Sequence, residues 1–186
     1  MGKLSKRALK IDGAFEVVSD VHRDERGAFS RLYCAEELRE VLGGRAIAQV
    51  NVSSTMQVGA MRGLHYQQAP SLEMKLVRCL KGRVFDVVVD LRQGSDTFLL
   101  WDAIELSPDK ANMMVVPEGC AHGFQVLEEQ SELLYLHTAF YEPASEGGIS
   151  FDDPKVGIVW PLAVRDLSVR DQGHPMLSDD FTGLKV

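Results

Sequence analysis

The chain has 186 residues and a formal net charge of −7, so it is long enough for one domain with a substantial core and lacks the basic excess that general nucleic-acid binding requires. Hydrophobic residues make up 45% and charged residues 25%, as in ordinary globular proteins. No apolar run reaches signal-peptide or transmembrane length, and the cysteines (Cys34, Cys79 and Cys120) form no CxxC pattern. We therefore expect a cytoplasmic protein with no nucleic-acid partner, no membrane partner and no disulfide.

In chain order, the first predicted element is a short amphipathic helix over residues 35–42. Leu38, Val41 and Leu42 share one face, and Gly43-Gly44 ends the pattern. The rest of the sequence is typical of short strands separated by turn signals. The predicted strands are 47–53, 76–80, 83–91, 98–106, 112–116, 123–127, 132–139 and 157–160.

Two of these strands, 76–80 and 83–91, are joined by Lys81-Gly82 and predict a β-hairpin. In the second strand, alternate residues from Phe85 to Leu91 are all apolar, which is the period-two pattern of a strand with one apolar face. Many short antiparallel strands with a single short helix favour a sandwich or barrel over an α/β fold. The sequence therefore predicts an all-β jelly roll, with residues 1–186 in a single domain.

Two segments, residues 59–67 and residues 117–124, resemble the signature motifs of the cupin superfamily. In the first, Gly59 and His65 have the cupin spacing, but Gln67 takes the place of the second metal-ligating histidine, and Glu73 lies further along than the motif requires. The second motif is complete and ends at His122. Because a transition-metal site needs three or four converging imidazole or carboxylate ligands, this set does not predict a metal site.

A longer ordered set of motifs runs from about residue 16 to residue 171. The motifs are Asp24-Glu25-Arg26-Gly27, Gln49-Val50-Asn51-Val52-Ser53, Arg62-Gly63-Leu64-His65-Tyr66-Gln67, Lys75-Leu76-Val77-Arg78-Cys79, residues 117–124, Tyr135, Asp152-Asp153-Pro154, Ile158-Val159-Trp160-Pro161 and Leu167-Ser168-Val169-Arg170-Asp171. Together they resemble the dTDP-4-dehydrorhamnose 3,5-epimerase family. The resemblance implies a cupin-type double-stranded jelly-roll barrel with one or two short helices. It also implies a homodimeric isomerase that works without metal or cofactor.

The chemistry implied by the resemblance is proton transfer on a nucleoside-diphosphate 4-keto-6-deoxy sugar, whose ketone acidifies the hydrogens at C3 and C5. His65 is the implied base, and Asp171 is its carboxylate partner, which orients the imidazole. Tyr135 is the implied proton donor on the opposite face of the sugar ring. Lys75 is the implied cation that stabilises the enolate oxygen.

The resemblance also implies a set of substrate-binding residues: Arg26, Gln49, Asn51, Arg62, His122, Glu146 and Arg170. Among these, Arg26 is expected to reach into the site of the neighbouring subunit. Arg31 stands where the archetypal sequences carry a glutamate, and the motif that begins at Gln49 lacks their acid and histidine. These departures leave open whether the carrier is dTDP, CDP or GDP, and whether C3, C5 or both are inverted.

Other interpretations apply to single residues and to the whole chain. Without the family motifs, Tyr135 would be a core aromatic residue and Lys75 an exposed lysine. Glu73 and the pair Glu128-Glu129 are predicted at the surface. The histidines without motif support are predicted to be structural or exposed: His22, His137 and His174. A metal-dependent cupin enzyme and a non-catalytic sugar-binding jelly roll are the alternative classes.

Overall fold

A computed structural model describes residues 3–186 of the chain. The described chain has two short helices, α1 (Arg39–Leu42) and α2 (Val169–Gln172). Its strands are β1 (Leu4–Ala8), β2 (Phe15–Ser19), β3 (Val21–Asp24), β4 (Gly27–Ser30), β5 (Gln49–Thr55), β6 (Met61–Gln67), β7 (Lys75–Lys81), β8 (Val84–Asp90), β9 (Trp101–Leu106), β10 (Asn112–Val116), β11 (Cys120–Val126), β12 (Ser131–His137) and β13 (Glu146–Gly148).

Two large antiparallel sheets face each other across an apolar core. The six-stranded sheet has the order β1-β2-β10-β7-β12-β5, and the five-stranded sheet has the order β13-β6-β11-β8-β9. Strands β3 and β4 form a separate hairpin. Neighbours in the sequence often lie in different sheets, as in a double-stranded jelly roll. The prediction of an all-β, cupin-type jelly roll with one or two short helices is confirmed.

The alternation of side chains along the strands divides the apolar residues into three layers. Inward-facing residues of both sheets, among them Val77, Val88 and Phe124, form the core inside the barrel. The outer face of the six-stranded sheet packs beneath α1 and its flanking segments. The outer face of the five-stranded sheet packs beneath residues 149–184. This C-terminal cover carries Asp171 to the wall of the barrel.

The predicted hairpin between β7 and β8 is wrong. Strand β7 pairs with β10 and β12, whereas β8 pairs with β9 and β11 in the other sheet. Gly82, with φ of +76°, turns the chain between the sheets, and a Cβ there would lie 2.3 Å from Ser131 Oγ. Both faces of β8 are largely buried, because one faces the barrel and the other lies under the C-terminal cover. The alternation in its sequence therefore could not reveal its partner strands.

The other predicted elements differ mainly at their ends. Only the last turn of the predicted helix forms, as α1, and Gly43 ends it with a left-handed φ of 57°. Residues 157–160 form no strand, and Trp160 instead donates from Nε1 to the carbonyl oxygen of Phe151 at 2.9 Å. Strands β1 to β4, β6 and β13 are not foreseen by the sequence pattern.

The cysteines Cys34, Cys79 and Cys120 are free thiols. Burial raises the pKa of Cys79 to about 11 and that of Cys120 to about 12, so neither is a reactive thiolate near neutral pH. Within residues 3–186, no helix has the length and apolar character needed to cross a membrane.

Candidate active site

A cavity of about 630 Å³ opens between the two large sheets. This volume lies within the range of roughly 300–1,000 Å³ that is usual for small-molecule sites. Every predicted site residue except Arg26 lines the cavity: His65, Lys75, Tyr135, Asp171, Gln49, Asn51, Arg62, His122, Glu146 and Arg170. Because these residues come from both sheets and from the C-terminal cover, only the folded chain brings them together.

His65 and Asp171 form a hydrogen-bonded pair in this cavity, with 2.7 Å between His65 Nε2 and Asp171 Oδ1. The backbone N–H of Asp171 donates to Oγ of Ser168, the N-cap of α2, and Gly63 N donates to Asp171 Oδ2 at 3.4 Å. Burial raises the pKa of Asp171, but the hydrogen bond and charge of His65 outweigh it and hold the pKa below its ordinary value. The Asp171 carboxylate therefore places the His65 proton on Nε2 and leaves Nδ1 of the neutral ring as an acceptor.

A β-bulge aims both Arg62 and His65 into the cavity. In a regular strand, side chains three residues apart lie on opposite faces of the sheet. Here the stretch of β6 from Arg62 to His65 lies against only His122 to Phe124 of β11, so β6 carries one extra residue. Gly63 lies inside this stretch with φ of 114°, and a Cβ there would lie 2.6 Å from the β11 backbone. The bulge therefore requires a glycine at position 63, two residues before His65.

Tyr135 and Lys75 face the histidine–aspartate pair from the opposite sheet. Lys75 Nζ reaches across the barrel and donates to the carbonyl oxygen of His65 at 3.2 Å. The Tyr135 hydroxyl accepts from Ser53 Oγ at 3.4 Å. Burial raises the pKa of the Tyr135 phenol, so this side chain stays protonated near neutral pH and can donate a proton into the cavity.

A second histidine–carboxylate pair lies beside Tyr135. His122 Nε2 is 2.8 Å from Asp86 Oδ1, and both side chains are buried. The rings of His122 and Tyr135 meet edge to face, with centroids 6.1 Å apart. Burial raises the pKa of Asp86, although the charge of His122 lowers it. Asp86, which lies on the same face of β8 as Val84 and Val88, therefore points into the interior of the barrel and not toward solvent.

The prediction that Glu73 lies at the surface is wrong, because only 9% of the residue is exposed. Its Oε1 lies 3.1 Å from Lys75 Nζ, and its Oε2 lies 2.8 Å from His137 Nδ1. His137 lines the cavity, and its Nε2 is 3.3 Å from Asn51 Nδ2. Burial raises the pKa of Glu73, but the hydrogen bond from His137 and the charge of Lys75 outweigh it and lower the pKa. Glu73 is therefore a buried carboxylate with two partners.

His174 packs against the His65–Asp171 pair. The rings of His65 and His174 are edge to face with centroids 5.2 Å apart, and His174 Nε2 lies 3.6 Å from Asp171 Oδ1. Gly148 leaves the necessary space, since a Cβ there would lie 2.3 Å from the His174 ring. Burial and the charge of His65 lower the pKa of His174. The His174 ring is therefore uncharged near neutral pH. It does not compete with His65 for the negative charge of Asp171.

Arg62 is the cavity cation best placed to bind an anion. Its guanidinium donates to a threonine hydroxyl and a backbone carbonyl of β5. Arg170 pairs with Glu146 at 2.7 Å, and Lys75 pairs with Glu73. No carboxylate of residues 3–186 forms an ion pair with Arg62, so its charge is the least neutralised in the cavity.

Arg26 lies outside this cavity, in the hairpin of β3 and β4. Its Nη2 is 2.6 Å from Asp24 Oδ2, and 82% of its side chain is exposed. Arg31 forms an ion pair with Glu37 and is partly buried. Neither arginine lines the main cavity of its own chain.

The residues at the cupin metal positions have other partners. Gln67 directs its side-chain amide to backbone groups of neighbouring loops, while His122 and Glu73 are held by the contacts described above. Within residues 3–186, one group of side chains could ligate a cation, since the ligand atoms of His65, Asp171 and His174 lie within 4.8 Å of one another. A cation bound there would break the His65–Asp171 hydrogen bond.

Sequence reasoning did not place Glu73, His137 or His174 at the site. The sequence does indicate that His137 lies at the site. It follows Tyr135 by two residues in β12, so both side chains lie on the same face of that strand. Glu73 precedes β7, and its partners come from neighbouring strands, so no local pattern marks it. His174 depends on the path of the C-terminal cover. The pair Glu128-Glu129 and His22 are exposed, as predicted.

Comparison with known proteins identifies relatives in one enzyme family. A sequence profile of the dTDP-4-dehydrorhamnose 3,5-epimerases matches residues 8–179. The dTDP-4-dehydrorhamnose 3,5-epimerase of Salmonella typhimurium is 40% identical over 158 residues, which cover 84% of this chain and 86% of that protein. The dTDP-4-dehydrorhamnose 3-epimerase of Streptomyces niveus is 36% identical over 174 residues, which cover 93% of this chain and 84% of that protein.

A solved structure agrees with the sequence relatives. The crystal structure of a dTDP-6-deoxy-D-glucose-3,5-epimerase from Legionella pneumophila, in complex with dTDP-4-keto-L-rhamnose, superposes with a TM-score of 0.91. The two sequences are 36% identical, and the match covers 98% of each chain. With its fold, its motifs and its profile match in agreement, the chain belongs to the dTDP-4-dehydrorhamnose 3,5-epimerase family.

Proposed function

We propose that this chain is an isomerase that inverts C3, C5 or both in a dTDP-linked 4-keto-6-deoxy sugar without a cofactor. The observation that carries the proposal is the His65–Asp171 pair, which faces Tyr135 and Lys75 across one cavity. This arrangement offers a base on one wall, and a proton donor and a cation on the other. Stepwise epimerisation beside a ketone requires these three groups. The substrates named for the relatives favour dTDP over CDP and GDP.

His65 starts the proposed reaction by taking the proton from C3 or C5 through Nδ1. The electron pair of the broken C–H bond moves into the ring, and the C4 carbonyl oxygen becomes an enolate oxygen. Asp171 stabilises the imidazolium that forms, because it holds the Nε2–H. A positioned base of this kind typically accelerates proton transfer by about 10²–10⁴-fold.

Tyr135 completes the proposed reaction from the opposite face. The Lys75 ammonium stabilises the enolate oxygen while its negative charge lasts. The Tyr135 hydroxyl then delivers its proton to the same carbon as the electron pair returns from oxygen and the C4 ketone reforms. Tyr135 regains a proton from solvent and His65 releases one, so the cycle involves no net oxidation.

The proposed binding residues surround this reaction centre. Arg62 is assigned to the diphosphate, because its charge is the least neutralised and its guanidinium can bind two phosphate oxygens at once. The remaining cavity residues are assigned to the sugar and the nucleoside: Gln49, Asn51, His122, Glu146 and Arg170.

The chain is also proposed to work as a homodimer in which Arg26 binds the diphosphate in the partner's cavity. Arg26 is exposed and lies outside the cavity of its own chain, and Phe29 of the same hairpin is 64% exposed. Strand β5 ends the six-stranded sheet of the described chain, and its outer face exposes Val50 and Val52. A second protomer would cover such an edge. A single domain over residues 1–186 and a cytoplasmic location, which suits three free thiols, belong to the same proposal.

Incubation in deuterated water with dTDP-, CDP- and GDP-linked 4-keto-6-deoxy hexoses tests the function. We expect the dTDP substrate to gain deuterium at the inverted carbons, as read by NMR or mass spectrometry. His65→Ala should abolish the exchange, while unchanged circular dichroism and binding of dTDP show that the variant is folded. Absence of exchange with every carrier would rule the function out.

A 3-epimerase is the second candidate, because the Streptomyces niveus relative carries that name. The same incubation separates the two activities. Deuterium at C3 alone indicates a 3-epimerase, and deuterium at both C3 and C5 indicates a 3,5-epimerase. Exchange confined to the CDP or GDP substrate would contradict the proposed dTDP carrier.

A further inference from the structure

Glu73 and His137 are cavity residues that the proposed mechanism leaves unused. The side chains of Glu73 and Lys75 are only 7% and 9% exposed. Each Glu73 carboxylate oxygen has one partner, since Oε1 lies 3.1 Å from Lys75 Nζ and Oε2 lies 2.8 Å from His137 Nδ1. A buried carboxylate held through both oxygens has a fixed orientation, and it fixes the ammonium and the ring that it contacts.

The strand register extends these contacts across three strands. His137 in β12 lies opposite Lys75 of β7 on one side and opposite Gln49 of β5 on the other. Asn51 lies two residues beyond Gln49, on the same face of β5, and its Nδ2 is 3.3 Å from His137 Nε2. We refer to the continuous hydrogen-bonded set as the polar row; its members are Lys75, Glu73, His137 and Asn51.

The hydrogen bond to Glu73 sets the tautomer of His137. A carboxylate only accepts, so Nδ1 carries the proton and Nε2 of the neutral ring presents a lone pair. That lone pair accepts from the amide nitrogen of Asn51. The amide nitrogen of Asn51 therefore donates to His137. The side-chain carbonyl oxygen of Asn51 is free to accept a hydrogen bond from a ligand in the cavity, which Asn51 lines.

We propose, on the basis of the epimerase function above, that the polar row serves two purposes. Glu73 is a positioning residue that holds the Lys75 ammonium where the enolate oxygen forms. His137 is a specificity-determining residue that makes Asn51 a hydrogen-bond acceptor toward the nucleotide sugar. The cavity therefore selects a substrate that presents a hydroxyl or N–H donor to Asn51.

The opposite tautomer would reverse this selection. With its proton on Nε2, His137 would donate to Asn51, whose amide would turn and present its N–H₂ group to the cavity. A donor on the substrate would then face a donor on the protein, and both groups would lose their partners. Sites built on a hydrogen bond to a substrate hydroxyl or N–H group discriminate strongly for this reason.

Glu73→Gln tests the positioning of Lys75. One terminal atom of the amide is a donor, so the new side chain cannot accept from both Lys75 and His137. We expect kcat with the dTDP-linked 4-keto sugar to fall about tenfold or more, with KM changed less, because Lys75 acts on the enolate and not on the bound ketone. Glu129→Gln, at an exposed position, should keep wild-type kinetics. A wild-type kcat in Glu73→Gln would overturn this part of the proposal.

Two substitutions of His137 test the orientation of Asn51. His137→Phe keeps an aromatic ring beside Tyr135, where the two rings stack with centroids 6.0 Å apart, but it removes both nitrogens. We expect KM to rise about tenfold. His137→Gln keeps one donor and one acceptor and should restore much of the affinity. Equal KM values for wild type and His137→Phe would overturn the specificity role.

A spectroscopic measurement tests the polar row without turnover. In ¹⁵N NMR spectra of histidine-labelled protein, with His137→Gln to assign the signals, wild-type His137 should carry its proton on Nδ1. Glu73→Gln should lose that preference. A proton on Nε2 of the wild-type ring would overturn the proposal even if the variants do not fold. A wild-type protein that exchanges no deuterium would contradict the epimerase function, whereas the spectrum reports on the row alone.

Discussion

Tyr135 lies between two histidines whose rings approach it from different sides. The ring of His122 meets it edge to face, and the ring of His137 stacks on it. Burial is the largest influence on the phenol and raises its pKa, while the hydrogen bond from Ser53 lowers the pKa by less. A phenol that stays protonated can deliver a proton at neutral pH, which a tyrosinate cannot do.

Replacing Tyr135 with Phe should separate proton removal from inversion. The variant keeps its base, His65, so exchange with deuterated water on the base's face of the sugar should persist. Net inversion should fall by about 10²–10⁴-fold, because the donor is gone. NMR of the sugar follows exchange and stereochemistry in one sample. Tyr33→Phe, whose ring packs on the outer face of the six-stranded sheet, should match wild type. Equal losses of exchange and inversion would exclude a donor role.

Single residues differ in how far the sequence predicts them. His65 and Tyr135 lie in motifs, and their place in the cavity follows once the strands are paired. Asp171 is 106 positions from His65, so only the family resemblance connects them, and no spacing rule does. The burial of Glu73 could not be predicted, because it arises from side chains of two other strands.

At the scale of elements, the turn between β8 and β9 depends on one carboxylate. Asp90 ends β8 with its side chain fully buried. Its Oδ1 accepts from Arg92 Nε at 2.9 Å, and its Oδ2 accepts from Ser95 Oγ and Thr97 Oγ1 at 2.6 Å. Burial raises the pKa of Asp90, but these hydrogen bonds outweigh it and hold the pKa at about 2, below the ordinary 3.8.

Asp90→Asn should lower the free energy of unfolding by about 2 kcal/mol near neutral pH. Because folding lowers the pKa, the carboxylate stabilises the native state above its unfolded-state pKa, and this contribution is lost as the pH falls through about 2. Urea unfolding at several pH values should therefore show the variant and wild type converging in acid. Asp96→Asn, exposed in the same turn, should match wild type throughout. A constant difference at all pH values would contradict the assignment.

Strand positions are more predictable from the sequence than strand partners. Strand β10 follows its apolar pattern residue for residue, because both of its faces are buried by a local run of apolar side chains. The partners of β7 and β8 depend on a turn that moves the chain from one sheet to the other, which no periodicity encodes. The extra residue in β6, which turns Arg62 toward His65, becomes visible only when β6 is aligned with β11.

At the scale of the whole molecule, the proposed dimer predicts complementation between two inactive variants. If Arg26 acts in the partner's cavity, a heterodimer of His65→Ala and Arg26→Ala contains one intact site. Refolding the two variants together should therefore restore part of the activity, as measured by sugar inversion. A mixture of His65→Ala and Tyr135→Phe should stay inactive, because each of its sites keeps one lesion. No recovery in the first mixture would exclude an exchange of Arg26 between protomers.

The C-terminal cover affects how the protein loses activity on heating. His65 lies in a strand that pairs with β11 and β13 through backbone ladders, whereas residues 149–184 join the barrel through apolar packing, side-chain contacts and isolated bridges such as Arg92 with Leu184. Segments with few ladder hydrogen bonds open locally before the whole structure unfolds. Each such opening separates Asp171 from His65 while the barrel remains folded. We therefore expect activity to fall on heating at a lower temperature than the β-sheet circular dichroism signal does.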